Sequence, residues 1–417
     1  MNNYLYKGAD DFFENEYYKS HFVDKKLKVE SYDNAIVLPF KTLSDGKWGG
    51  GVVADGYFLR NSGVHFDSTV EYDVSEDQIE TDDSDIIYVG LFNGVWGHNI
   101  TDDLRRFWIV IDETYKDLVS NCKFAYIPLD GFKFSDSFLK LLKAIGITKE
   151  NLVPITKVTR FHKVHIPDEC FYKNEADVRF FCKEYRDLIN HIKNYYLSHI
   201  ENEIKTYDRI YFTYSKYKKN VSYGEKFLER FFSSLDYEII APEDYPLEEQ
   251  IVMLSNCKSL VSTIGSCAHN CIFMSTGAEL ILIPRTYCLT GYQLALNEVS
   301  DLKVSWIDSS LSNHVRFDYP YLGPYCLSIT SNLLKSFGKE TSIFTSEDYK
   351  EMIKTYCLYD ITSLWRYKHD NTCAPEYYSA AVDQELSWIM NNAKVSRFGY
   401  KLLRLAAFFK KAFNRSV

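Results

Sequence analysis

Residues 94–108 read GVWGHNITDDLRRFW and follow directly on the apolar run Ile86-Ile87-Tyr88-Val89-Gly90-Leu91-Phe92. A histidine, an asparagine and two adjacent aspartates are gathered where a buried strand gives way to a helix. On that helix His98 and Asp102 stand four positions apart on one face, the spacing at which a carboxylate orients an imidazole or is tuned by it. Such a pair is suited to moving a proton. Thr101 or Asp102 also has the side-chain oxygen that caps a new helix, which accounts for one acid only.

A second stretch, Ser262-Thr263-Ile264-Gly265-Ser266-Cys267-Ala268-His269-Asn270, has the small side chains that let a backbone approach a ligand closely. In open α/β sheets, ligands sit beyond the C-terminal ends of strands, where the first turn of the next helix offers N–H groups to anions. Arg209, Lys216, Lys218 and Lys219 flank the preceding strand with the charge to neutralise a diphosphate; a solvated lysine loop is the plainer alternative. Glu248 and Glu249 open a helix, where the helix dipole favours acids, and one of them is a candidate for ribose hydroxyls. Asp83-Ser84-Asp85 has the D-x-D form that binds a cation beside a nucleotide sugar, but it precedes its strand and reads as a turn. No metal-ligand set is seen.

These residues need a scaffold, and the pattern supplies one. The first hundred residues read as β-rich, with the glycine-heavy DGKWGGGVVADGYFLRNSG turning between short strands. IIYVGLF is a strand, TDDLRRFWIVIDETYKDL a helix, KFAYIPL a strand and SDSFLKLLKAIGI a helix ended by its glycine. Residues 175–205 form a long polar-aromatic helix that bridges two domains. From Asp208 a second series alternates RIYFTYS, YGEKFLERFFSSL, YEIIAP, LEEQIVMLSNC, SLVSTIG, CAHNCIFMST and AELILIP, strand then helix. This is α/β, and each run has the length of one element of a parallel, doubly wound sheet. The divisions expected are 1–175, a linking helix 176–205, 206–345, and helices over 346–417.

With 417 residues and 46% apolar content the chain has material for two cores. Its 33 Tyr and 28 Phe serve packing first and sugar stacking second. A net charge of −9 excludes a general nucleic-acid binder. The ten cysteines form no C-x-x-C pair, and the start MNNYLYKGADDFF lacks a signal-peptide layout, so reduced thiols in the cytoplasm are expected. No stretch approaches the ~18 uncharged apolar residues of a membrane span.

Charge is segregated. Residues 391–417 hold seven Lys/Arg and no acid, leaving 41 Lys/Arg against 57 Asp/Glu, a balance of −16, in the first 390. On a helix, Phe398, Leu402, Leu405, Phe409 and Phe413 make one stripe and Arg397, Lys401, Arg404, Lys411 and Arg415 the next. Side-by-side basic and apolar stripes suit an anionic membrane surface, reached through 394–417. The alternative is a helix packed on the protein's own acidic surface.

Taken together, the two stretches resemble glycosyltransferase family 61, whose bacterial members build capsular and other surface polysaccharides. Gly97-His98-Asn99-Ile100-Thr101-Asp102 fits the family's G-H-[FN]-[LI]-x-[EDH] after a strand. Ser215-Lys216, Lys218-Lys219, Glu225, Glu249-Gln250 and Ile264 through Met274 follow the order of its second-half motifs, and the likeness runs over residues 35–285. Departures fall in that second half: Lys216 replaces an arginine, Ile264 a histidine, His269 a threonine, and Gly224-Glu225 an Asn-Glu pair.

The resemblance implies a fold of the GT-B kind, two Rossmann-like domains facing across a cleft, with the last helices packed back on the first. It also implies an inverting, metal-independent sugar transfer from a nucleoside diphosphate to a hydroxyl of a surface glycan or its lipid-linked precursor, without a cofactor. In that frame Asp102 is the first candidate base and His98 the second; Asp103, Asn99, Gly97 and Arg105 position substrate. Lys216, Lys219, Arg209, Gly265, Ser266, His269 and Asn270 hold the diphosphate, and Glu249 the ribose. A non-catalytic scaffold of a polysaccharide-assembly complex, or transfer of a pyruvyl or glycerol-phosphate group, are the alternatives.

Overall fold

A contiguous apolar run can be buried on both faces of a sheet, and the runs noted above become the inner strands of two sheets. The computed structural model describes residues 3–4, 20–63, 69–174, 178–200, 203–216, 222–285, 291–312, 323–367 and 376–413. In the first half, Glu80–Phe92 (β1) lies between Lys123–Pro128 (β2) and Thr159–Pro167 (β3), parallel to both. The early strands Val29–Asp33, Ile36–Thr42, Trp48–Ala54 and Tyr57–Leu59 extend this mixed sheet through antiparallel pairings. Asp83-Ser84-Asp85 is not the expected turn: β1 starts at Glu80 opposite Thr159, so the D-x-D lies on its exposed portion, ahead of the buried Ile86–Phe92.

A short hairpin, Phe171–Lys173 (β4) with Arg179–Phe181 (β5), follows. The expected helix over 175–205 therefore begins later, because Tyr172 and Phe180 stack across the hairpin at 5.7 Å and hold this aromatic segment as strand.

The second sheet is wholly parallel. Arg209–Phe212 (β6), Glu238–Ile240 (β7), Ser259–Thr263 (β8), Glu279–Ile283 (β9) and Lys303–Ile307 (β10) are ordered β10-β9-β8-β6-β7. A strand from the start of the chain, Asn3–Tyr4, pairs with β10 at the outer edge.

Among the helices, in chain order, are Trp96–Asn99 (α1), Asp136–Ala144 (α2), Lys183–His199 (α3), Glu225–Ser233 (α4), Leu247–Asn256 (α5), Gly291–Val299 (α6), Ser346–Tyr367 (α7), Glu376–Asn392 (α8) and Arg397–Phe413 (α9); Lys116–Asn121 and Ser331–Ser336 are two further short ones. On α3, Tyr185, Leu188, Ile189, Ile192 and Tyr196 recur at three- and four-residue intervals and are buried. At about 1.5–3 kcal/mol for each fully buried large side chain, this stripe welds the halves together. One apolar cluster runs from Phe92 and Phe107 through Ile189 and Ile192 to Leu260 and Ile272. Lys140 on α2 adds an ion pair at 2.5 Å to Glu248 on α5.

Among the described residues, the C-terminal helices are packed on the second half and not, as expected, on the first. Tyr349, Ile353, Tyr356 and Ile389 join Phe231, Val261 and Ile281 in a second cluster on the other face of the parallel sheet. Arg230 of α4 reaches Asp348 of α7 at 2.6 Å. The apolar side of α4 and the uncovered face of the second sheet are what these helices bury. Among the described residues, no helix is long and apolar enough to cross a membrane.

Candidate active site

β1 delivers the chain to α1 through Asn93-Gly94-Val95, and α1 makes only one turn. The helix expected over 101–118 forms only at its end, as Lys116–Asn121: turns occupy 100–106, and 3-10 segments cover Phe107–Val110 and Glu113–Tyr115. Two causes combine. Phe107-Trp108-Ile109-Val110-Ile111 are weak helix formers, and the polar side chains before them are taken by tertiary bonds. Asp103 accepts from Asn99 Nδ2 at 2.6 Å and from the Asn93 amide at 3.3 Å. Arg106 is bonded to the Pro167 and Asn61 carbonyls and to Glu169 at 2.8 Å.

Asn99 and Asp103 are buried, at 0% and 1% exposure, and are bonded to each other under the loop. Burial raises the Asp103 carboxyl to about 7. An unfolded aspartate releases its proton near 4, so between about 4 and 7 the folded state holds more protons than the unfolded one and stability falls as pH rises. Asp103→Asn should therefore flatten the pH dependence of the melting temperature across that window. A variant with the slope of the parent would contradict this account of Asp103.

His98 and Asp102 face the other way, toward the second half. His98 Nδ1 donates to Asp102 Oδ2, which also accepts from the Tyr292 hydroxyl of α6 at 2.9 Å. The His98 and Tyr292 rings meet edge to face at 5.8 Å. The Arg179 guanidinium lies over the Tyr292 ring at 4.2 Å, and the Phe171 and Tyr292 rings are stacked at 6.0 Å. Burial works to lower the pKa of His98, but the bond and charge of Asp102 outweigh it and the imidazole titrates above its ordinary value. Burial likewise works to raise Asp102, and it is overcome by the bond and charge of His98, the charge of Arg105 and the Tyr292 bond, so the carboxyl sits below its ordinary value. The side chain of His98 remains 36% exposed, against 15% for Asp102.

The two halves also meet around a cavity of about 450 Å³, whose lining reaches Trp96 but includes neither His98 nor Asp102. Gly94, Val95 and Trp96 line it from beyond β1; Thr213, Tyr214, Pro242, Glu243, Ser266 and Cys267 line it from beyond β6, β7 and β8. Its walls are thus the C-terminal ends of strands from both sheets. Trp96 Nε1 donates to Asn270 Oδ1 at 2.7 Å, Asn270 Nδ2 donates to Gln250 Oε1 at 2.9 Å, and Gln250 Nε2 donates to the Pro242 and Tyr245 carbonyls at 2.8 Å. That buried chain fixes the seam. Asn270→Ala should lower stability by about 1–3 kcal/mol, since it leaves the Trp96 and Gln250 groups unpaired; an unchanged denaturant midpoint would argue that the seam is not held this way.

The residues expected to grip a diphosphate are dispersed. Gly265 and Ser266 form the turn at the cavity, but Ala268–Phe273 is a 3-10 segment and not the expected α-helix. His269 is turned to the seam, where the space over Gly97 brings it and Ser266 close: a Cβ on Gly97 would lie 3.0 Å from Ser266 Oγ and 3.2 Å from His269 Nδ1. Gly97 therefore permits contact between the halves. Burial lowers His269 to about 3, so its ring is neutral, and neither nitrogen has a hydrogen-bond partner among the described residues. Asn270 lines the cavity with its amide already engaged. Lys216 is exposed and pairs with Asp244; Lys218 and Lys219 lie outside the described residues. Arg209 opens β6, at the end away from the cavity, and donates to the Leu235 carbonyl at 3.1 Å. Glu249 stands in the first turn of α5, while its neighbours Glu248 and Gln250 make the bonds described above.

Three functional candidates escaped the sequence: Tyr292, Arg179 and Arg285. Arg285 follows β9, buried between the rings of Tyr214 at 4.7 Å and Tyr325 at 4.8 Å. A Cβ on Gly265, whose φ is +152°, would fall 2.3 Å from Arg285 Nη2, so this glycine lets a guanidinium lie against the turn at the cavity. Glu225 is buried below, accepting from Tyr211 at 2.6 Å and from the Tyr214 amide at 3.1 Å. Among the described residues, no group of three His, Cys, Asp or Glu side chains is placed to hold a metal. The arrangement combines a proton-accepting pair, a buried cation and a cavity between two halves. Residues 96–281 match the family described as Glycosyltransferase 61. None of the curated proteins matches the chain.

Proposed function

Residues 96–281 belong to glycosyltransferase family 61, and from that premise we propose that the chain moves a sugar from a nucleoside diphosphate to a hydroxyl of a surface polysaccharide or its lipid-linked precursor, with inversion. The two sheets then act as the facing lobes of a GT-B enzyme. The observation that carries this reading is the bond from Tyr292 of the second half to Asp102 of the first, together with a cavity between the halves onto which strand ends of both sheets open.

Geometry orders the roles within the pair. Asp102 Oδ2 already receives two hydrogen bonds, so we assign it the task of orienting His98 and raising its basicity. With Nδ1 committed to Asp102, Nε2 of His98 takes the proton of the acceptor hydroxyl. The hydroxyl oxygen attacks the anomeric carbon, the bond to the diphosphate breaks, and its electron pair leaves with the nucleotide. Arg285 beneath the Gly265–Cys267 turn supplies fixed positive charge for that leaving group, which makes a metal unnecessary in this scheme.

Calorimetric titration with UDP, GDP, ADP and TDP tests the donor site. One of them should bind the chain, and Ser266→Trp, which fills the cavity, should weaken it at least about tenfold, a change of about 1.4 kcal/mol. A chain that binds none of the four fits the scaffold alternative and contradicts the transferase reading.

The tail extends the proposal to an anionic membrane, on the inner face of which we place the protein. Tyr400, Leu403 and Ala407 turn α9 onto the second cluster, and Arg404 leaves the expected basic stripe to bond Asp360 at 2.7 Å. Phe398, Leu402, Leu405 and Phe409 remain 70%, 51%, 51% and 50% exposed, with Lys401 and Lys410 beside them; Arg415 and the side chain of Phe413 lie outside the described residues. Changing those four apolar residues to serine should abolish sedimentation with phosphatidylglycerol vesicles. Equal partition of parent and variant would remove the membrane from the account.

A further inference from the structure

Within the second half, β6, α4 and β7 make one strand-helix-strand unit over residues 209–240, its two strands side by side and parallel. In nucleotide-binding units of about this length, an acid near the end of the second strand takes a ribose hydroxyl. The cavity between the halves opens on the ends of these strands, and Glu243, in the 3-10 turn Pro242–Asp244 that follows β7, lines it. Among the described residues Glu243 is the one acid that does so. Asp244 is bonded to Lys216 and Glu248 to Lys140, whereas Glu249, expected from the sequence to hold the ribose, is not part of the lining. Glu243 is exposed, and among the described residues its carboxylate has no hydrogen bond or ion pair.

The order of the strands separates this acid from the fixed positive charge. β6 lies between β8 and β7. Arg285 lies against Gly265 in the turn after β8, and Glu243 stands after β7. Neighbouring strands are about 4.8 Å apart, so the two loops are two spacings, about 10 Å, from each other. A carboxylate beside the phosphates would repel them. At this remove it can accept from hydroxyls, since an ionised carboxylate has acceptors and no donor. Pro242 and Leu247 add apolar surface on the same side for a base.

We infer that the nucleotide of the donor is a ribonucleotide, and that Glu243 selects it by accepting a hydrogen bond from the ribose 2′-hydroxyl. A 2′-deoxynucleotide has no such donor, so TDP is not the nucleotide of this site. The assignment rests on the transferase reading of the cavity and adds to it the sugar of the nucleotide and the residue that recognises it.

The full chain is titrated calorimetrically with UDP, GDP, ADP and TDP, and with the 2′-deoxy forms of the first three. The ribonucleotide that binds best should bind about tenfold or more tighter than its own 2′-deoxy form, the effect of losing one hydrogen bond to a charged group. Glu243→Ala changes an exposed side chain, so it should melt with the parent, and it should bind the two forms within about twofold of each other. A parent that binds both forms alike, TDP bound more tightly than any ribonucleotide, a folded Glu243→Ala variant that keeps the preference, or a Glu249→Ala variant that loses it in its place would overturn the inference and leave the transferase reading standing. A chain that binds no nucleotide removes that reading and this assignment with it.

Discussion

Replacing His98 with alanine lowers kcat for sugar transfer by about 10²–10⁴, the usual contribution of a positioned base, and leaves the nucleotide dissociation constant within about twofold. The expectation follows from position. His98 lies on the first half with Nδ1 committed to Asp102, while the proposed nucleotide site is the cavity at the ends of β6, β7 and β8. Asp102→Asn should reduce kcat as well, and it carries a signature that mere disruption would lack. Because Asp102 holds the His98 pKa above its ordinary value against the opposing effect of burial, the neutral, proton-accepting imidazole prevails only above that raised pKa, and the rate of the parent climbs with pH through it. Removing the carboxylate charge leaves burial dominant. The acid limb of the variant's pH profile then moves to lower pH, toward a lower plateau set by a weaker base. An acid limb that does not move, in a folded variant, would show that Asp102 does not tune His98.

The largest stability effect is expected at Gly224. This residue precedes α4 with φ +87°, and a Cβ there would stand 1.8 Å from the carbonyl oxygen of Leu327, a backbone atom that cannot swing aside. Left-handed backbone disfavours alanine by about 1–2 kcal/mol, and overpacking adds about 1–3 kcal/mol or more. Against a total stability of roughly 5–15 kcal/mol, Gly224→Ala should yield little folded protein or a melting temperature lower by on the order of 10 °C. Gly277→Ala is the control, since its φ of +77° meets nothing within 4 Å and isolates the backbone contribution. If both variants melt together, the contact with Leu327 has been overvalued. The position bears on function because the residue after it, Glu225, holds Tyr211 and the Tyr214 amide at the cavity.

Much of the scaffold was legible because contiguous apolar runs admit few alternatives. Ile86–Phe92, Lys123–Pro128 and four of the five parallel strands of the second half emerged from length and alternation alone, whereas Lys303–Ile307 was not among the expected strands; the pairing of His98 with Asp102 emerged from spacing. Residue type does not, however, say which side of a loop faces inward. Asn99 and Asp103 are buried and bonded to each other, and their bonds, with those of Arg106, take the place of the helix that the local pattern favours over 101–110. Distance in sequence hid the rest. Tyr292 meets Asp102 across 190 residues, and Arg285 becomes a candidate only once Tyr214, Tyr325 and Gly265 are seen around it. The tail had the right composition, but Arg404 turns inward to Asp360, a detail fixed by where α7 lies and not by the helical repeat.

The central claim is that the imidazole of residue 98 takes the acceptor proton while the second half holds the donor. Chemical rescue tests it most directly: purified His98→Gly is assayed for transfer with and without added imidazole, once nucleotide binding has shown that it is folded. The account predicts a nearly inactive variant that free imidazole revives, with a rate following the neutral fraction of the added base. Full transfer by His98→Gly without imidazole, or a folded, nucleotide-binding variant that no concentration of imidazole revives, would contradict it.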